Sequence, residues 1–155
     1  MFSTDDDKAG SIQSPVVLVA VARRTAARVL PARTASVPAL RGFARGVVHD
    51  WALSDRVEEA VALAVTELVA NAVQHSGSRD VGLRISLDDR AVTVEVRDHG
   101  QWRSPTAAAQ LAGIPERCSG RGLSLVNAYT SGCVLWYEPD GTRAVAKIPL
   151  SNGAR

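Results

Sequence analysis

The chain changes its hydrophobic period from helical to extended partway along, and that change limits the fold more than any other feature. Over residues 56–75, Val57, Val61, Ala64, Leu68 and Ala72 return at three- and four-residue spacings, as on one face of a helix. Residues 81–87 and 92–97 then alternate apolar with polar or small side chains around Asp88-Asp89-Arg90. Period-two alternation about a short polar turn predicts an antiparallel hairpin with one covered face. Upstream, Ser36 offers an N-cap, and Leu40, Phe43, Val47, Val48 and Trp51 mark a first helix that Gly42 and Gly46 weaken. Downstream, 121–130 reads as a third helix, and 133–137 and 143–148 as a last hairpin around Pro139-Asp140-Gly141. Helices first, then strands, with one helix before the final hairpin, predict an α+β fold. It is a two-layer sandwich whose mixed, mostly antiparallel sheet carries helices on one face.

A length of 155 residues suits one domain with a real core. Residues 1–14 are polar, acidic and small and read as a disordered tail; 15–27 read as an N-terminal arm, 28–150 as the folded domain, and 151–155 as a C-terminal tail. The first regular segment is expected as a short strand at Arg28-Val29-Leu30, and 106–111 as a short helix within an otherwise loop-like stretch. A formal net charge of +2 implies neither a nucleic-acid nor a membrane field. Of the 18 basic residues only Lys8 and Lys147 are lysines, most simply a matter of GC-rich codon usage. The longest apolar run, 15–22, is too short for a bilayer, and Asp5-Asp6-Asp7 has the wrong sign for a signal peptide. Cys118 and Cys133 are too few and too far apart for a disulfide scaffold or zinc knuckle, so a reducing, cytoplasmic setting is the expectation.

Three segments carry chemistry. Glu67, Asn71 and His75 recur every fourth residue, drifting only about 40° per step around the axis. A carboxylate, an amide and an imidazole thus share one face beside the apolar stripe. A desolvated carboxylate can take a proton from a hydroxyl, and an amide oxygen one turn on suits Mg²⁺. The same spacing also describes a plain solvated helix face. The second segment, Arg97-Asp98-His99-Gly100, closes an apolar strand with a carboxylate able to accept from an exocyclic amine, and Gly100 admits a planar ligand. The bland alternative is a strand-ending turn. The third, Gly120-Arg121-Gly122-Leu123, opens an apolar helix with small residues, which exposes amides to an anion; Arg121 adds charge-assisted bonds. Alone it is also an ordinary helix start.

In chain order these segments resemble the boxes of the GHKL ATPase superfamily, which includes histidine kinase catalytic domains, gyrase-type enzymes and heat-shock chaperone ATPases. The likeness is strongest to anti-sigma-factor serine/threonine kinases of the RsbW and SpoIIAB type, over about 29–150. Residues 67–75 look like the N box, 97–100 like the first glycine box and 120–126 like the second. Gly141-Thr142-Arg143 through Ile148-Pro149-Leu150 resembles the terminal strands. The resemblance implies a Bergerat-type sandwich binding ATP and Mg²⁺. Glu67 would be the general base, Asn71 the metal ligand, Asp98 the reader of adenine and Thr142 its support. Gly100, Gly120, Gly122 and Leu123 would shape the floor and phosphate end, and 101–119 would be the lid. His75 would contact phosphate, or else cap its helix end. Arg41 falls where such kinases dock a partner, although it also reads as an exposed helix arginine.

The function implied is phosphorylation of a serine or threonine on an anti-sigma factor antagonist, with a sigma factor controlled by sequestration. No nucleic acid or membrane partner is expected, and a homodimer stays open. One departure keeps a second reading in play: the second glycine of the first box is Trp102. A fold retained for partner sequestration alone, with weak catalysis, is that alternative. A detached sensor-kinase catalytic domain is a third, separable by the acid lability of phosphohistidine.

Overall fold

The computed structural model describes residues 24–100, 116–118 and 121–151, in the order β1 (Arg24–Pro31), α1 (Ser36–Asp50), α2 (Asp55–His75), β2 (Asp80–Leu87), β3 (Ala91–Asp98), β4 (Glu116–Arg117), α3 (Arg121–Tyr129), β5 (Gly132–Glu138) and β6 (Gly141–Pro149). The expected helix over 106–111 lies outside the described residues.

Helix α2 begins where Ser54, in extended backbone, accepts from the Val57 amide at 3.4 Å. Asp55 and Glu58 stand in its first turn, where the helix dipole favours negative charge, and His75 stands in its last. It ends at Gly77, whose φ of 68° suits a residue without a side chain. Ser36 does not cap α1, contrary to expectation. The turn through Arg33 brings Ala35 into helical geometry with no side-chain cap, so Ser36 sits inside the helix. Its buried hydroxyl donates instead to Pro31 O at 2.6 Å, tying α1 to the strand before it.

The six strands form one sheet in the order β1-β2-β3-β6-β5-β4, and every pairing among the described residues is antiparallel. This is narrower than the mixed sheet anticipated. The β2–β3 turn is held by Asp88, whose carboxylate accepts from the Arg90 and Ala91 amides at 2.7 and 2.9 Å. Alternation puts Val81, Leu83 and Ile85, Val92, Val94 and Val96, and Ala144, Ala146 and Ile148 on one buried face. Helix α2 lies over this face against β2, β3 and β6, with α1 and α3 packed on it. Val61, Ala64, Val65, Leu68 and Val69 fill the layer between, all fully buried. The opposite face carries a charge network: Arg97 to Glu138 and Asp140 at 3.0 and 3.2 Å, and Arg143 to Glu138 at 3.1 Å.

Strand β1 runs longer than Arg28-Val29-Leu30 because full pairing with β2, not an apolar pattern, makes it a strand; most of it is exposed. Strand β4 was expected as loop, since two residues carry no periodicity. Its pairing also corrects the reading of the cysteines. Glu116 opposes Leu135 and Arg117 opposes Val134, so the next rung sets Cys118 against Cys133. The Cys118 amide donates to Cys133 O at 3.0 Å, the Cα atoms are 5.2 Å apart, and the two buried sulfurs are bonded. A sequence separation of 15 concealed an adjacency made by register, and unpaired cysteines no longer speak for a reducing compartment. Among the described residues no helix is long and apolar enough to cross a membrane.

Candidate functional site

The candidate residues form two groups along the C-terminal half of α2. In the first, strand alternation continues the buried row Val92, Val94, Val96 to Asp98, which is 1% exposed at the end of β3. A carboxylate so buried needs hydrogen-bond partners. One oxygen accepts from the Gly100 amide at 2.9 Å, closing a tight turn. Register sets Thr142, 2% exposed, directly opposite Asp98 on β6. Gly141 comes so close behind that a Cβ there would meet Asp98 O at 1.9 Å. Asp98, Gly100 and Thr142, scattered in sequence, therefore form one cluster.

This cluster abuts the C-terminal end of α2. A Cβ at Gly100 would meet Ser76 O at 1.9 Å, so only glycine allows the turn to lie against the helix end. Ser76 and Ser78 bridge the same junction by hydrogen bonds. In sequence alone Ser76-Gly77-Ser78 reads as nothing more than a helix stop. Hydroxyls flanking a helix-ending glycine were the available signal.

In the second group, Glu67 and Asn71 are half-buried on successive turns in the C-terminal half of α2, and His75 is exposed in its last turn, next to the Ser76 junction. Helix α3 brings Gly122 against Glu67: a Cβ there would meet Glu67 Oε2 at 1.7 Å and Cδ at 2.5 Å. The helix-opening glycine and the N-box carboxylate, 55 positions apart by their numbers, are thus in contact. Gly120 lies outside the described residues, as do the side chains of Arg121 and Leu123 and most of the lid expected over 101–119. Arg41 is half-buried on the α1–α2 seam, its guanidinium donating to Thr66 Oγ1 at 3.4 Å beside Glu67.

Among the described residues no three His, Cys, Asp or Glu side chains gather as a metal cage. Magnesium does not need one: it keeps waters and takes one or two protein ligands plus phosphate oxygens. The Asn71 amide, one turn from the Glu67 carboxylate on the same helix face, fits that donor set. A cleft of about 250 Å³ between Arg56, Ala60, Tyr129 and Pro149 lies at the other end of α2 and holds none of the candidate residues.

Comparisons with known proteins bear on the family and the fold. The profile of the histidine kinase-like ATPase domain matches residues 30–148. Among solved structures, the RsbU and RsbW domains of Rv1364c from Mycobacterium tuberculosis superpose with a TM-score of 0.65 at 23% identity, covering 85% of this chain and 34% of that one. At that identity the likeness is one of fold, and the chain spans about a third of the length of that structure's chain. No curated protein matches the sequence.

Proposed function

The chain belongs to the histidine kinase-like ATPase domain family, and from that premise we propose that it is an ATP-dependent regulatory kinase. It phosphorylates a serine or threonine of an antagonist protein and controls a sigma factor by sequestration. The observation that carries the reading is that two carboxylate clusters lie along one helix: Asp98 with Gly100 and Thr142 beside its C-terminal end, and Glu67 with Gly122 within its second half.

In this reading Asp98 accepts from the adenine amine, its carboxylate already oriented by the Gly100 amide. Thr142 supports it from the neighbouring strand. Glu67 takes the proton of the partner's hydroxyl, which must lie within hydrogen-bond reach of its carboxylate. Asn71 would hold the magnesium, which when bound would neutralise developing charge on the phosphates. His75 and the start of α3 would meet the phosphates, where Gly122 keeps the backbone close to Glu67. Arg41 meets the partner from the α1–α2 seam. The fold shared with an RsbW domain supports the partner class.

The deciding experiment gives γ-labelled ATP and Mg²⁺ to the chain with its cognate antagonist. Transfer to serine or threonine by the wild type, lost in Glu67→Ala, is the expected result. No transfer from wild type, or equal transfer from the variant, defeats the assignment. Trp102 in the place of a glycine favours a second reading, a binding module that sequesters its partner without turnover. Tight partner binding with no ATP heat in calorimetry would establish it.

A further inference from the structure

The hydroxyls of Ser76 and Ser78 form a relay that the proposed reaction leaves unused. Ser76 Oγ, on a buried residue, donates to Ala72 O at 2.5 Å and accepts from the Ser78 amide at 3.1 Å. Ser78 Oγ donates to Asp80 O at 2.7 Å and accepts from the His99 amide at 3.1 Å. Each hydroxyl thus gives one bond and takes one. The relay leaves the last turn of α2, passes the start of β2 and ends on the residue directly after Asp98. Gly100 completes the junction by lying against the Ser76 carbonyl.

A turn that starts from a carboxylate needs its next peptide fixed, or the carboxylate swings with it. Asp98 fixes the turn from inside by accepting from Gly100, and Ser78 fixes it from outside by holding His99. Because Ser78 is itself seated on Ser76, the turn is referenced to α2, the helix that carries Glu67 and Asn71. The geometry points to Ser78, seated by Ser76, as a positioning residue that aims Asp98 at a purine amine and so sets the preference for adenine over guanine nucleotides. This inference rests on the nucleotide reading above.

The test measures the affinity of the full chain for ATP–Mg²⁺ and GTP–Mg²⁺ by calorimetry, in wild type, Ser78→Ala and Ser78→Thr, with thermal unfolding of each. Losing one hydrogen bond of this kind corresponds to about a three- to tenfold change. Ser78→Ala is expected to weaken ATP by about that factor while GTP stays constant, narrowing the preference; Ser78→Thr, which keeps the hydroxyl, restores it. A brace with no aiming role predicts both nucleotides weakened alike, and that result overturns the inference. So does an unchanged ratio. Should Ser78→Ala lose cooperative unfolding, Ser76→Ala is read in its place and is expected to narrow the preference in the same direction; an unchanged ratio there is equally fatal. A wild type that binds no ATP sinks the nucleotide reading itself, whereas a wild type that binds ATP beside an unaltered Ser78→Ala sinks only this inference.

Discussion

Asp98 and Glu67 are both carboxylates on the α2–sheet seam, but they are held in opposite ways. Asp98 is 1% exposed, with its neighbours dictated by strand register and its oxygen bonded to the turn it starts. Glu67 is half-buried, and the described contact that confines it is steric: the bare Cα of Gly122 across the helix interface. A group in a bonded strand end is rigid before any ligand arrives. A carboxylate set against a helix start stays adjustable, which suits a base that must meet a hydroxyl on another protein. On the proposed reading, recognition falls to the sheet and chemistry to the helix contact.

Four substitutions test this contrast. Removing the base by Glu67→Gln is expected to lower phosphate transfer by about 10²–10⁴-fold while ATP binding persists, read by single-turnover labelling. Next, Gly122→Ala drives a methyl into the Glu67 carboxylate. That carboxylate is the far end of a movable side chain, so stability should hold while transfer falls on the order of 10²-fold, as for a misplaced catalytic group. A Gly122→Ala protein with full activity would mean that Glu67 is not confined there. At the rigid end, Asp98→Asn should weaken ATP by about tenfold, the scale of one hydrogen bond to a charged group, measured by calorimetry. The smallest effect is expected across the sheet. Arg97→Ala removes pairs to Glu138 and Asp140 beside Asp98 but on the open face, and should cost under about 1 kcal/mol in denaturant unfolding with ATP affinity unchanged. A large loss of affinity there would show that the two faces are coupled.

Legibility followed locality. Helix α2 and the β2–β3 hairpin were plain because burial of each side chain recurs along the chain itself. The polar stripe of Glu67, Asn71 and His75 was visible for the same reason. Ser36 misled because a cap is a local rule, and the turn through Arg33 moved the helix start by one residue. Strands β1 and β4 were short or missing in the sequence reading because neither has a pattern of its own; each exists by pairing with a neighbour. The cysteines were misjudged for that reason too, since register rather than spacing made them adjacent.

What the amino-acid order determined alone was the set of elements, their apolar faces and the residue types able to do chemistry, all properties of three to ten consecutive positions. Only the tertiary structure decided which of those residues meet. Thr142 faces Asp98 through the β3–β6 register, Gly122 reaches Glu67 through the packing of α3 on α2, and Ser78 grips His99 where helix and strand converge. Contacts between distant positions are chosen by how all the apolar faces close over one core at once, and no short window of sequence carries that condition.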